Sequence, residues 1–278
     1  MPELPEVETT VRGIRPALLN HRIVDVWLDW PQGLATPDPE VFQARLKGQR
    51  IREVTRRAKY IIVTLEADSL LIHLKMTGRL YVVPDDSQQY ADQWVHFRFQ
   101  LDNGYQLRFS DSRKFGRVYL VDDPAIVTAD LGPEPLDPAF TLEAFQRRLA
   151  RRKGKIKPLL LNQSFVAGIG NIYADEALHL AGIHPIRSAS TLSEDEIVAL
   201  WQGIQSVLAD GIAREGASVN WYRKPDGTKG QAQNGLRAYG QTGRLCQTCQ
   251  QAAIEKIVIG QRGTHFCPNC QRETHYGR

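Results

Sequence analysis

Cysteine is missing from the first 245 residues of this 278-residue chain, and all four cysteines fall in its last forty. That distribution excludes a disulfide framework spread through the fold. Long apolar runs are missing too, since none approaches the ~20 residues that span a bilayer. The start has neither the basic segment nor the apolar segment of a secretory signal. A cytoplasmic chain with no membrane partner is therefore the expectation. Positive charge is absent from the opening ten residues, MPELPEVETT, which hold three carboxylates and two prolines. Yet the chain as a whole is basic, with 35 Lys+Arg against 31 Asp+Glu, net charge +4 and a pI near 8.9. With 42% apolar and 24% charged residues, the composition suits one large globular domain or two modest ones.

The positive charge is concentrated in two runs. Residues 141–160 hold seven Lys/Arg and one acid, and Arg50–Lys59 holds five bases and one acid. Either run alone reads as a solvated helix face or a strand edge; together they favour a polyanionic partner. Val7, Val11, Ile14 and Leu18 recur at helical spacing, with Pro5, Glu6 and Glu8 suited to a helix start. From about residue 22 to 122, short β-branched and aromatic runs predict many strands and hence a sandwich or barrel. Among them LDNGY predicts a hairpin, because Asn-Gly tolerates the positive φ of a tight turn. The proline-punctuated stretch 131–140 reads as a linker. Helical periodicity follows, with Ser193 and Glu196 spaced as a capping box. Beyond about residue 216 the chain becomes Gly-rich and polar, like a mobile loop.

Two stretches carry chemistry by their spacing. Cys246 and Cys249, then Cys267 and Cys270, form two CxxC pairs seventeen residues apart. This is the pattern of a four-thiolate zinc site, with no position left for substrate and hence a structural role. Disulfides or redox pairs are disfavoured. Between the pairs, AAIEKIVIGQRGTHF predicts a hairpin holding Arg262 at its tip between Gly260 and Gly263; by itself Arg262 reads as a solvated turn residue. Farther upstream, Gly168, Gly170 and Asn171 directly precede a helix, where exposed N–H groups and the helix dipole favour a phosphate. Lys153, Lys155 and Lys157 lie shortly before.

MPELPEVE at the start, RRAKY at 56–60, GIGNIYADEAL at 168–178 and the terminal two-CxxC finger, in this order, resemble the formamidopyrimidine-DNA glycosylase family over essentially the whole chain. The resemblance implies an α+β multidomain fold: an N-terminal β-sandwich with a flanking helix over 1–130, a linker over 131–140, a helical helix-two-turns-helix domain with a lesion loop over 141–235, and a β-hairpin zinc finger over 236–278. It implies a bacterial, cytosolic, monomeric base-excision repair enzyme that acts on damaged double-stranded DNA. Such an enzyme removes oxidised purines and then cleaves the abasic strand, with one structural zinc and no organic cofactor.

Carried over residue by residue, the resemblance makes Pro2, exposed by loss of Met1, the nucleophile. Glu3 is the general acid and Glu6 a supporting carboxylate. It assigns Lys59 to β-elimination and Arg262 to δ-elimination and phosphate binding, and it gives His73, Lys153 and Asn171 phosphate contacts. Met76, Arg113 and Phe115 fill the gap left by the extruded base; outside the family pattern, Met76 and Phe115 read as core and Arg113 as surface. Two departures stand out. Trp94 occupies a position where relatives often carry a DNA-contacting histidine, with His96 two residues on, and Gln241 replaces an arginine ahead of the finger. The alternatives are an endonuclease VIII-like glycosylase for oxidised pyrimidines and a non-catalytic damaged-DNA-binding protein. Leu4 and the Met76/Arg113/Phe115 set count against the first, and the intact Pro2–Glu3–Lys59–Arg262 set against the second.

Overall fold

The computed structural model describes residues 1–273. Contacts divide the chain into two compact units, residues 1–130 with 214–231, and residues 131–213 with 232 onward.

In the first unit, helix α1 (Leu4–Leu18) fully buries Val7, Val11, Ile14 and Leu18. Each such side chain contributes about 1.5–3 kcal/mol of apolar burial. The strands are β1 (Ile23–Leu28), β2 (Leu34–Thr36), β3 (Ile51–Arg57), β4 (Tyr60–Leu65), β5 (Ser69–His73), β6 (Arg79–Pro84), β7 (Val95–Leu101), β8 (Tyr105–Ser110) and β9 (Arg117–Val121), with helices α2 (Pro39–Leu46) and α3 (Ala125–Thr128). They form a four-stranded antiparallel sheet, β1-β7-β8-β6, and a five-stranded sheet, β2-β9-β5-β4-β3, in which only β2 runs parallel to its neighbour. Period-two alternation points Phe97, Phe99, Leu107 and Phe109 of one sheet and Ile61, Val63, Leu70, Ile72 and Leu120 of the other into one core shared with α1. This is the expected sandwich.

Three details differ from the sequence expectation. The first is α2 and β2, which left no clear pattern: β2 is three residues long and α2 buries only Phe42 and Leu46. Next, the basic run 50–59 lies mostly on the edge strand β3, one of its expected readings, but its charge is partly neutralised, Arg52 by Glu66 at 2.8 Å and Arg56 by Glu8 at 3.1 Å. Finally, in the hairpin LDNGY only Gly104 takes a positive φ (+78°). Asn103 instead donates to Ala17 O at 3.2 Å and accepts from Tyr105 N at 3.2 Å.

The second unit holds helices α4 (Leu142–Leu149), α5 (Ile156–Leu161), α6 (Asn171–Leu180) and α7 (Glu194–Ala213), then a hairpin of β10 (Glu255–Ile259) and β11 (Arg262–Phe266). Ser193 and Glu196 form the expected reciprocal cap at the start of α7, with bonds of 2.8 and 3.2 Å. Residues 131–140 are hydrogen-bonded into this unit. Gly132 N donates to Gln163 O, Gln205 reaches Pro135 O, and the Trp201 indole N–H donates to Phe140 O at 2.9 Å.

Lys157, counted above among the surface bases, is buried on α5. Its ammonium pairs with the buried Asp175 of α6 at 2.6 Å and donates to Thr264 Oγ1 at 2.7 Å on β11. Asp175 also accepts from the His265 backbone N–H at 2.9 Å. The pair thus fastens the finger hairpin to the helices. Removing one partner of a buried pair strands the other charge and costs about 3–5 kcal/mol. Urea denaturation of Lys157→Ala should show a loss of that order, whereas the exposed Lys153→Ala should change stability by less than about 0.5 kcal/mol. Equal, small effects would contradict the anchoring role.

Candidate functional site

The N-terminus is held by a carboxylate. Glu3 is the N-cap of α1, Pro5 lies in its first turn, and Glu6 is 1% exposed. Glu6 Oε2 accepts the Glu3 N–H at 2.7 Å, and Oε1 accepts the Ala217 N–H at 2.7 Å. The first bond fixes the Pro2–Glu3 peptide. The second brings the stretch beyond about residue 216, expected as a mobile loop, onto the start of α1. That stretch is closed at its base by Gln231 N donating to Arg214 O at 2.7 Å. Gly216 makes the approach possible: its φ is +81°, and a Cβ there would sit 2.9 Å from the Tyr222 ring and 3.0 Å from Glu6 Oε1. Burial and the Glu6 charge push the Tyr222 phenol well above its ordinary range. Pro2 and Glu3 are themselves buried.

Lys59 lies in the two-residue turn between β3 and β4, 4% exposed, following Ala58 at φ +52°. The register pairs Tyr60 with His73 across β4 and β5, and the two rings meet edge to face at 4.7 Å. Burial, with the positive charges of Lys75 and Lys59, lowers the His73 pKa from 6.5 to about 3. His73 Nδ1 accepts from the Lys75 N–H at 3.0 Å, so the ring is neutral with its proton on Nε2. Lys59 and His73 therefore share one environment, a cation beside a neutral N–H donor.

Met76 and Phe115 are exposed, at 39% and 46%, contrary to the core reading of such residues. The Arg113 guanidinium stacks over the Phe115 ring at 4.6 Å. Asp111, which the sequence reading missed, organises these loops from below. Its fully buried carboxylate accepts the Thr77 hydroxyl, the Phe115 N–H at 2.8 Å and the Gly116 N–H at 2.7 Å. An Asp opening the polar stretch DSRKFG is a turn signature that could have found it. Of the two residues at the departure, His96 is buried and paired with Asp29 at 2.8 Å, while Trp94 meets Tyr90 edge-on at 5.4 Å.

In the second unit Asn171 opens α6, behind Gly168 (φ +91°) and the N-cap Gly170. Its Nδ2 donates to Gly263 O at 2.9 Å, which brings Asn171 next to the residue after Arg262. The hairpin turn is Gly260–Gln261, at φ +54° and +63°, so Arg262 is the exposed first residue of β11 and not the tip itself. Lys153 is exposed ahead of α5, its carbonyl accepting from Ser188 Oγ at 2.9 Å. Gln241 accepts from Arg244 at 2.9 Å. Glu176, buried on α6, accepts the N–H groups of Arg237, Ala238 and Tyr239 at 2.8–2.9 Å and so ties down the chain entering the finger.

The four cysteine sulfurs lie within 4.8 Å of one another. Cys246–Cys270 and Cys249–Cys267 are separated by 3.9 and 3.7 Å. A disulfide needs ~2.05 Å, whereas a tetrahedron of ~2.3 Å Zn–S bonds has edges of about 3.8 Å. The set fits one zinc ion in a closed, structural site.

Three family models match the chain: the formamidopyrimidine-DNA glycosylase N-terminal domain over 1–118, the formamidopyrimidine-DNA glycosylase H2TH domain over 131–223, and the zinc finger found in FPG and IleRS over 252–272. The formamidopyrimidine-DNA glycosylase of Herpetosiphon aurantiacus is 47% identical, over 98% of this chain and 100% of the relative. That of Chloroflexus aggregans is 48% identical over 98% of each. A crystal structure of a Lactococcus lactis FPG mutant with Fapy-dG-containing DNA superposes with a TM-score of 0.90 at 36% identity, covering 98% of this chain and 100% of that one. The chain belongs to the formamidopyrimidine-DNA glycosylase family.

The depressed His73 pKa has a stability consequence. Between pH 6.5 and about 3 the unfolded chain binds a proton at this position that the folded chain does not, so acidification through that window destabilises the fold. His73→Gln should reduce the stability lost between pH 7 and pH 4.5 by roughly 2 kcal/mol, read from denaturation curves at both pH values. Parallel losses in both proteins would contradict a neutral, buried His73.

Proposed function

We propose that the chain excises oxidised purines, 8-oxoguanine and formamidopyrimidines, from duplex DNA through the secondary amine of Pro2 and then cleaves the abasic strand. The chain is a base-excision repair DNA glycosylase with abasic-site lyase activity. Loss of Met1 exposes a terminal amine whose pKa, about 7.7–8.0, leaves a useful fraction unprotonated at neutral pH, unlike lysine at ~10.4. That amine attacks C1′ of the damaged nucleotide, the base leaves, and an iminium forms as the sugar ring opens. Glu3 protonates the ring oxygen. Lys59 serves β-elimination and Arg262 δ-elimination. The observation that carries this reading is the Glu6 clamp, which fixes the Pro2–Glu3 peptide where a chain terminus is ordinarily loose.

His73 donates to a lesion-side phosphate as a neutral N–H. Lys59, Lys153, Asn171 and Arg262 supply further phosphate contacts, so binding is salt-dependent through counterion release. Met76, Arg113 and Phe115 occupy the gap left by the extruded base; an arginine for the orphaned base edge and an apolar wedge between base steps are what extrusion requires. The exposure of the three side chains and the Arg113–Phe115 stack support this assignment. In this reading residues 1–130 carry the chemistry, 131–140 connect, 141–235 bind DNA and bear the lesion loop, and 236–278 form the finger. A zinc ion on the four cysteines would order the finger that carries Arg262 and would itself take no part in the chemistry. The enzyme acts as a monomer in the bacterial cytosol; among the described residues no helix is long and apolar enough to cross a membrane.

Borohydride trapping tests the proposal, using zinc-loaded protein and a duplex with one 8-oxoguanine opposite cytosine, followed by peptide mapping. The expected product is a crosslink on a mature terminus at Pro2. Trapping with oxidised pyrimidines alone would move the chain to the endonuclease VIII-like specificity, and no trapping with either duplex would overturn the catalytic reading.

A further inference from the structure

The trio proposed to fill the gap sits on two separate loops, residues 74–78 and 111–116. Each loop contains a residue in the left-handed region, Lys75 at φ +51° and Lys114 at φ +54°. Non-glycine residues hold such angles only where surrounding structure over-determines them. Asp111, which opens the second loop, hydrogen-bonds to both loops. Its Oδ1 accepts the Thr77 hydroxyl, next to Met76, and the Arg113 N–H at 3.3 Å. Its Oδ2 accepts the Phe115 and Gly116 N–H groups at 2.8 and 2.7 Å.

The carboxylate is itself anchored at the end of β8. Asp111 N donates to Trp94 O at 2.9 Å, and Asp111 O accepts the Lys114 N–H at 3.2 Å. Gly116 permits the approach, since a Cβ there would fall 2.4 Å from the Phe109 ring and 3.2 Å from Asp111 Oδ2. Burying a carboxylate is costly unless donors satisfy it, and these four donors all come from the two loops. Three of the donors close the turn that Asp111 opens, and the fourth, the Thr77 hydroxyl, ties that turn to the Met76 loop.

We infer that Asp111 is the positioning residue for opposite-base recognition, locking the Met76 loop to the Arg113–Phe115 loop so that the three side chains enter the duplex as one rigid unit. The inference rests on the proposed role of that trio. Asp111 touches neither DNA nor the reacting atoms, so chemistry at a preformed abasic site does not depend on it. Discrimination between bases opposite the lesion does, because Arg113 reads that base only while its loop is held.

The test compares zinc-loaded wild type, Asp111→Asn, Thr77→Val and Arg113→Ala. Single-turnover excision of 8-oxoguanine is measured opposite cytosine and opposite adenine, alongside cleavage of an abasic-site duplex. Asp111→Asn keeps the shape but turns an amide N–H toward backbone donors. It should lower the cytosine-over-adenine ratio about tenfold, the lower range of one good base contact, with abasic cleavage within about threefold. Thr77→Val cuts only the bond between the loops and should lower the same ratio by a smaller factor; it carries the test if Asp111→Asn fails to fold. Adding Arg113→Ala to Asp111→Asn should cost little more, since coupled residues are non-additive. If Arg113→Ala lowers the ratio while Asp111→Asn and Thr77→Val leave it unchanged, Asp111 does not position the trio. If Arg113→Ala itself leaves the ratio unchanged, the assignment of the trio fails and the inference falls with it.

Discussion

The chemistry proposed for the N-terminus depends on one buried carboxylate. Glu6 uses both oxygens on backbone N–H groups, those of Glu3 and Ala217. Its charge is further favoured by the positive end of α1, so the helix that anchors the terminus also stabilises the anchor. An N-terminal amine is chemically attractive because it is less basic than lysine, but an unfixed terminus forfeits orientation, which supplies a large share of rate acceleration. The clamp reconciles the two. It explains why α1 begins only three residues into the chain and why Gly216 must approach the helix start so closely.

The same device recurs in each unit. Asp111 gathers two loops, Glu176 gathers three consecutive N–H groups, and Asp175 receives both Lys157 and the β11 backbone. Asp111, just past β8, and Glu176, inside α6, fix irregular segments, while Asp175 beside Glu176 holds a strand. Loops held this way resist displacement because releasing one N–H group leaves a buried acceptor unsatisfied. The β-sandwich and the helices supply the rigid ground, and the carboxylates transmit that rigidity to the segments carrying the side chains proposed to meet DNA.

The regular elements were legible in the sequence because burial imposes a period. The spacing of Val7, Val11, Ile14 and Leu18, the alternation through Phe97 and Phe99, and the Ser193/Glu196 cap each follow from local rules. The zinc site was legible because two tight CxxC turns leave little geometric freedom. The buried charges were not. Lys157 looks like one base among seven, and nothing local distinguishes it from the exposed Lys153; only the remote Asp175 decides that it turns inward. The Thr77 contact of Asp111 and the Ala217 contact of Glu6 were hidden for the same reason, since these partners come from loops whose paths have no period. Pro2, Glu3 and Lys59 are proposed through the family resemblance, as no rule of spacing singles out a terminal proline.

In the proposed mechanism Glu6 acts on the chemistry by fixing the terminus. Replacing it with glutamine keeps its size while turning one acceptor into a donor that faces a backbone N–H. The decisive measurement is the single-turnover rate of covalent adduct formation with an 8-oxoguanine duplex, alongside duplex affinity, for Glu6→Gln. The adduct rate should fall by about a hundredfold, the scale of a small misplacement of a reacting group, with affinity within about twofold. An adduct rate equal to wild type would show that Pro2 is placed by something other than this carboxylate.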